Sequence, residues 1–259
     1  MNEAVFRKSF LGPPTKIGLS DLLDLGISLF FPQPCRICQD EIESRSLGVT
    51  CQDCWAETFI FKRETSICYK CSRLLKANSS FEEKTFCHAC KDDFFDAARS
   101  IGLYEKALMK TVLHLKTTPF LATYVQDLLY EAFRNAPFQD ADLIVPVPLS
   151  KARFIERGFN QAELIAKLLA QKTKMPMDTS SLVRLKHTQR HRPGMDKTAR
   201  QRLVKEAFAV VSSEKIKGKT IILIDDVLTS GATASNCAKV LKENGALKVY
   251  VLTLARASH

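Results

Sequence analysis

The sequence predicts an α/β protein: a doubly wound, mostly parallel sheet preceded by a small metal-stapled module. Three observations carry this. From about Asp96 onward, short uninterrupted apolar runs alternate with amphipathic stretches, the pattern of strands whose two faces are both covered by helices. Before that point, eight of the nine cysteines fall into four Cys-x-x-Cys pairs within sixty residues. Between the two lies a change in charge: residues 1–96 hold 12 Lys/Arg and 14 Asp/Glu, whereas residues 97–259 hold 26 and 14. The chain divides accordingly into an N-terminal segment (1–34), a cysteine module (35–92) and an α/β domain (97–259).

The N-terminal segment contains "LLDLGISLFF" (22–31), about half the length needed to cross a bilayer. Ser20 is placed to cap it as a helix, with Asp21 and Asp24 at the positive end. It reads as a short amphipathic helix packed on its own protein. The opening residues lack the apolar core and cleavage site of a signal peptide, so a soluble, cytoplasmic protein without a membrane span is expected.

The cysteine pairs are Cys35/Cys38, Cys51/Cys54, Cys68/Cys71 and Cys87/Cys90, separated by 12, 13 and 15 residues. A Cys-x-x-Cys turn aims two thiolates at one ion, and two such turns close a tetrahedron about 2.3 Å from the metal. Eight thiolates therefore predict two saturated, structural Zn²⁺ sites in a double zinc ribbon. Disulfides would suit an exported chain, a redox dithiol needs one pair rather than four, and iron–sulfur ligation is the remaining competitor. Short gaps favour sequential filling, 35/38 with 51/54 and 68/71 with 87/90, over a cross-braced order. His88 reads as a bystander, and Cys237 as a small packed residue. So small a module draws most of its folding free energy from metal.

In the α/β domain, strands are expected at 100–104, 142–148, 220–225 and 246–255, with shorter ones near 182–185 and 207–211. Helices are expected at 105–116, 120–134, 160–171 and 232–243. In such sheets ligands bind beyond the carboxyl ends of strands. There the chain reads "IILIDDVLTSGAT" (221–233): four aliphatics, then Asp225 and Asp226, then Thr229, Ser230, Gly231, Ala232 and Thr233 leading into a helix. Backbone N–H groups at a helix start bind anions, and Gly231 lets the backbone approach closely. Carboxylates accept hydrogen bonds from hydroxyls. A sugar phosphate suits both halves, its diol on the acids and its 5′-phosphate in the turn. The Gly218-Lys219-Thr220 triplet is no P-loop, since Ser213 stands where the earlier glycine belongs and the triplet enters a strand. No HExxH or GxSxG motif is present.

Residues 221–233 resemble the phosphoribosyl pyrophosphate (PRPP) signature of type I phosphoribosyltransferases. Together with the cysteine module and "VPVPLSKARFIERGFNQA" (145–162), they resemble the ComF/GntX family over nearly the whole chain. The resemblance implies a type I phosphoribosyltransferase-like sheet behind the zinc ribbons. It implies that Asp225 and Asp226 hold the ribose 2′ and 3′ hydroxyls, and that residues 229–233 hold the 5′-phosphate. It further implies a pyrophosphate loop at Leu149, Ser150, Lys151, Ala152 and Arg153, with Mg²⁺ carried by PRPP. The RGFNQ run (157–161) is open to ligand contact or to a loop-and-cap role.

Residues 184–205 carry eight basic residues and one acid, and match in position the mobile loop that closes over pyrophosphate in type I enzymes. Pro193-Gly194 favours a loop, and His187 and His191 give only a weak metal signal. Leu203 departs from the family, where Asn is frequent. The family is associated with natural transformation and single-stranded DNA. The resemblance therefore implies a PRPP-binding protein that handles single-stranded DNA, with Arg190, Arg192, Lys197, Arg200 and Arg202 on phosphates and DNA-processing proteins as partners. The alternative is an active enzyme transferring phosphoribose to a nitrogen acceptor.

Overall fold

The computed structural model describes residues 33–75, 85–185 and 207–258. The expected helix at 22–31 lies outside them, as do Arg190, Arg192, Lys197, Arg200 and Arg202. In chain order the elements are α1 (Gln52–Ala56), β1 (Ala97–Leu103), α2 (Lys106–Leu115), α3 (Thr123–Arg134), β2 (Leu143–Pro146), α4 (Lys151–Arg157), α5 (Gln161–Thr173), β3 (Leu182–Arg184), β4 (Phe208–Val210), β5 (Thr220–Leu228), α6 (Ala232–Glu243) and β6 (Lys248–Arg256).

Four strands form one parallel sheet in the order β1-β6-β5-β2. Alternation along a strand divides its side chains between two cores. Ile222, Ile224, Leu252 and Leu254 pack with α2, α3 and α5, whereas Ile221, Leu223, Val249 and Val251 pack with α6. Both faces are thereby covered, which is why β5 runs apolar from Ile221 to Ile224 and β6 from Val249 to Leu252. Cys237 is fully buried in α6, and burial drives its thiol well above its ordinary pKa, as suits a packing residue. The two short strands pair antiparallel with each other, apart from the main sheet. Among the described residues, no helix is long and apolar enough to cross a membrane.

Two departures from the expected elements matter for function. The strand expected to stop at Asp225 continues to Leu228, because β6 goes on pairing with it through Asp225↔Thr253, Val227↔Ala255 and Leu228↔Arg256. Conversely, the expected loop residues Lys151, Ala152 and Arg153 open a helix, α4, capped when Ser150 Oγ accepts the Arg153 N–H at 3.4 Å.

The cysteine module is docked on the sheet. Residues 59–61 run antiparallel to β1: the Phe61 N–H donates to Ile101 O at 2.8 Å, and the Leu103 N–H to Phe59 O at 2.9 Å. This covers a sheet edge that would otherwise expose unpaired backbone groups. Gly102 makes the approach possible, since a Cβ there would lie 2.2 Å from the Phe59 carbonyl oxygen. Backbone rather than a flexible side chain fills that space. Gly102→Ala is therefore expected to cost about 1–3 kcal/mol by overpacking and to loosen the module from the domain. Denaturant unfolding and limited proteolysis after residue 58 check this; an unchanged midpoint would show that the edge contact is dispensable.

Candidate metal centres and ligand cleft

The eight cysteines gather into two groups, Cys35/Cys38/Cys51/Cys54 and Cys68/Cys71/Cys87/Cys90. The sequential order thus holds. Sulfurs approach at 3.7 Å (Cys35–Cys54) and 3.5 Å (Cys38–Cys51) in the first group. In the second they approach at 3.6 Å (Cys68–Cys90) and 3.5 Å (Cys71–Cys87). A tetrahedron with metal–sulfur bonds of about 2.3 Å has edges of about 3.8 Å, so the spacing fits a four-thiolate Zn²⁺ site in each group. Most of the thiols are buried, which leaves no open position for substrate and marks both sites as structural.

The two groups repeat one local design. Residues 34 and 41 form an antiparallel bridge around the first turn, as do 67 and 74 around the second. The Cys35 N–H donates to Asp40 O and the Cys68 N–H to Arg73 O, both at 2.7 Å. Each turn places the residue after its second cysteine at positive φ, Gln39 at 72° and Ser72 at 55°. The opposite turns then donate backbone N–H groups to sulfur, Cys51 to Cys35 and Cys87 to Cys68. Trp55, the sole tryptophan of the chain, follows directly on Cys54 and stands edge-on to Tyr124 with ring centroids 5.1 Å apart. Stripping the metal with a strong chelator is therefore expected to shift Trp55 emission to the red as its pocket opens. Emission that stays put after both ions are lost would mean that the module folds without them.

The ligand cleft arises where β5 outlasts β2. Pairing of the two ends at Pro146↔Ile224 and with the Val147 N–H on Ile224 O at 2.9 Å. Pro146 and Pro148 lack donors, so the ladder stops and the chain turns away. The far end of β5 then borders a cleft of about 490 Å³. Asp225, Asp226, Val227, Thr229 and Thr233 line it from β5 and the turn beyond. Of the expected phosphate residues, Gly231 is buried while Thr229, Ser230, Ala232 and Thr233 are exposed. Gly231 sits at φ 84° as the cap of α6, a conformation that favours glycine. The first turn of α6 has N–H groups without intrahelical partners, of which the Ala232 N–H donates to Ser230 Oγ at 3.4 Å.

Asp225 is held in an unusual state. Burial pushes its carboxyl up to about 8, and the charge of Asp226 beside it acts in the same direction. The Asp226 N–H donates to Asp225 Oδ1 at 2.9 Å. Burial also lifts the Tyr104 hydroxyl, again with help from Asp226. Tyr104 lies at the carboxyl end of β1, and its N–H donates to Arg256 O at 2.8 Å.

Four cations line another part of the cleft wall: Lys116 after α2, Arg153 and Arg157 of α4, and Arg184 at the end of β3. Burial lowers the Arg184 pKa, as does the neighbouring Arg153. Its guanidinium stands 5.2 Å from the centroid of Phe208. Of the expected pyrophosphate loop, Leu149 and Arg153 border the cleft and Ser150 caps α4, while Lys151 and Ala152 are exposed on that helix.

The RGFNQ run divides between two roles. Gly158 ends α4 in the left-handed region, at φ 77°. Asn160 caps α5 by accepting the Ala162 N–H and donates to Val147 O at 3.0 Å. Arg157 and Gln161 line the cleft, and the Gln161 side-chain nitrogen has no hydrogen-bond partner among the described residues. Tyr104 and Lys116 escaped sequence reasoning because each is a lone residue at an element's end, whereas Arg184 opens the basic segment 184–205 singled out there and stands at the end of β3. For Tyr104 and Lys116 the one signal was position at the carboxyl edge of the sheet.

The titration of Asp225 has a defined consequence. Its folded value of about 8 stands against 3.8 for the ordinary group. Between these values the folded chain keeps a proton that the unfolded chain releases, so stability falls as pH rises from about 4 to about 8, with no further loss above. Asp225→Asn is expected to melt at nearly the wild-type temperature near pH 4 and progressively above it towards pH 8. Parallel melting curves across that range would mean that Asp225 ionises normally.

With this geometry in hand, comparison with known proteins is informative. The double zinc ribbon domain family matches residues 26–91, and the phosphoribosyl transferase domain family matches residues 114–259. Competence protein ComFC of Bacillus subtilis is 28% identical over 249 residues, covering 86% of this chain and 95% of that protein. DNA utilization protein YhgH of Salmonella typhimurium is 30% identical over 238 residues, covering 88% and 99%. Competence protein F of Haemophilus influenzae is 35% identical over 135 residues, which is 50% of this chain and 58% of that protein. Two cysteine-built ribbons, a parallel sheet with an acid-lined crevice, and relatives matched nearly end to end agree: the chain belongs to the ComF family, in which a double zinc ribbon precedes a phosphoribosyltransferase domain.

Proposed function

We propose that the cleft binds PRPP with Mg²⁺, and that the protein works in the cytoplasm on single-stranded DNA during DNA uptake or utilization. The observation that carries the first part is the meeting, in one cleft, of two β5 acids, a glycine-started helix and four cations. Asp225 and Asp226 accept the ribose hydroxyls. The turn 229–233 takes the 5′-phosphate on backbone N–H groups and on the hydroxyls of Thr229, Ser230 and Thr233. Arg153, Arg157, Arg184 and Lys116 face the diphosphate. Mg²⁺, when bound with PRPP, would supply a hard, oxygen-preferring cation that offsets the diphosphate charge.

The second part is supported by relatives named for competence and DNA utilization, and by the basic excess of residues 97–259. Arg190, Arg192, Lys197, Arg200 and Arg202 extend the basic rim in sequence and would track a phosphate backbone. DNA-processing proteins are the matching protein partners.

Calorimetry of PRPP with Mg²⁺ tests the cleft. Hydrogen bonds to charged groups contribute about 1.5–3 kcal/mol each, so Asp226→Asn, and Asp225→Asn above about pH 8 where Asp225 is ionised, are each expected to weaken binding about tenfold or more. Equal affinity across the three proteins would refute the assignment. Binding of single-stranded DNA should fall steeply with salt, and with a smaller slope after Arg190, Arg192, Arg200 and Arg202 are neutralised. Salt-independent binding, or none, would remove the DNA role. Pyrophosphate release with a panel of nucleobases would turn the binder into a transferase.

A further inference from the structure

The two ribbons are alike in design but differ in what they touch. The first packs on α2 and α3: Trp55 meets Tyr124, Glu57 pairs with Lys106 at 2.8 Å, and Thr58 Oγ1 accepts the Ala107 N–H at 3.1 Å. The second packs against the turn that starts α6. Arg256, 3% exposed at the end of β6, joins them. Its Nε donates to the carbonyl of Cys71 at 3.0 Å. One terminal nitrogen donates to the carbonyls of Leu228, at 2.7 Å, and Thr229. One guanidinium thus fastens a thiolate-bearing residue of the second group to the two residues that open the turn 229–233.

Two further contacts reach the same place. The Phe94 N–H, just after the second group, donates to Ser235 Oγ in the first turn of α6 at 3.0 Å. The Asp93 carboxylate stands close by and would lie 3.3 Å from a Cβ at Gly231. Asp93 is itself fixed by Lys70 of the second group, whose Nζ donates to Asp93 O at 2.7 Å. A planar guanidinium with several fixed donors holds carbonyls in one relative geometry better than a flexible ammonium does. The Cys71 backbone, in turn, is placed by the thiolate beside it once that thiolate is bound in a four-sulfur site.

We propose that the second four-cysteine site and Arg256 position the turn 229–233, so that metal at Cys68/Cys71/Cys87/Cys90, and not at the first site, sets how tightly that turn holds an anion. Arg256 is a positioning residue: it touches the turn's carbonyls, leaving the N–H groups and hydroxyls for ligand. The proposal rests on the phosphate reading of residues 229–233, but its coupling can be measured without any ligand.

The full-length protein is used, with Arg256→Lys, Arg256→Gln, Cys71→Ser and Cys38→Ser, and zinc content is measured for each. Amide hydrogen exchange at residues 229–234 is followed without ligand, alongside Mg²⁺–PRPP affinity. Arg256→Gln is expected to retain two zinc ions, to exchange faster at 229–234 and to bind PRPP about tenfold more weakly, within the usual range of coupling between sites. Arg256→Lys should recover part of both effects. Cys71→Ser should speed exchange at the same amides, whereas Cys38→Ser should speed it only around the first ribbon. If Cys71→Ser does not fold, the Arg256 pair decides. Exchange at 229–234 that is unchanged by Arg256→Gln, or equally raised by Cys38→Ser, would overturn the proposal. Wild-type protein that fails to bind PRPP would overturn the phosphate reading instead, with the exchange comparison still deciding the coupling.

Discussion

The unequal length of two neighbouring strands is the constraint on which the rest depends. β5 has nine residues and β2 has four, so pairing on the β2 side ends at Ile224 while β6 supports β5 to Leu228. The unsupported flank is where Asp225 and Asp226 stand. Two adjacent carboxylates inside a packed sheet would be expensive. At a strand end that borders water on one side they are tolerated, and the strain shows as a proton kept by Asp225 well above the usual range. Hydroxyl donors and a cation are what such a pair lacks, and this is the ground on which a ribose phosphate with its metal is proposed as occupant.

The same flank explains why the cleft is bipolar. Its floor is acidic because β5 presents Asp225 and Asp226 there, and its wall is basic because α4, the end of β3 and the residue after α2 bring Arg153, Arg157, Arg184 and Lys116 beside it. A ligand with a hydroxylated middle and anionic ends satisfies both. Parallel strands bring these separate chain segments to one edge, and no local rule of sequence would gather Lys116, Arg157 and Arg184 with Asp225.

The cysteine module is more than an appendage. Its residues 59–61 complete the β1 edge, Trp55 joins the core of the α2/α3 face, and the second ribbon shares a core with α6 and β6. A ribbon too small to fold on its own apolar area gains order from metal and passes it to the sheet through backbone contacts. Repetition made two sites, and different neighbours gave them different surroundings.

Sequence alone determined the elements whose cause is local. Cys-x-x-Cys spacing predicted two four-sulfur groups and favoured their sequential order, which the fold then decided. Uninterrupted apolar runs revealed β2, β5 and β6, and glycine after the acids marked the start of α6. Sequence did not show that β5 runs on through its acids, because Asp is a poor strand former and only the partner strand β6 keeps it extended. Nor did it show α4, whose exposed, mixed residues carry no clear period. Arg256 lay just past the expected strand 246–255 and drew no reading; its role came from three carbonyls, one of them 185 residues away in sequence. Long-range backbone contacts of that kind leave no pattern in the chain, because a carbonyl is present at every residue and only the tertiary fold selects which ones meet.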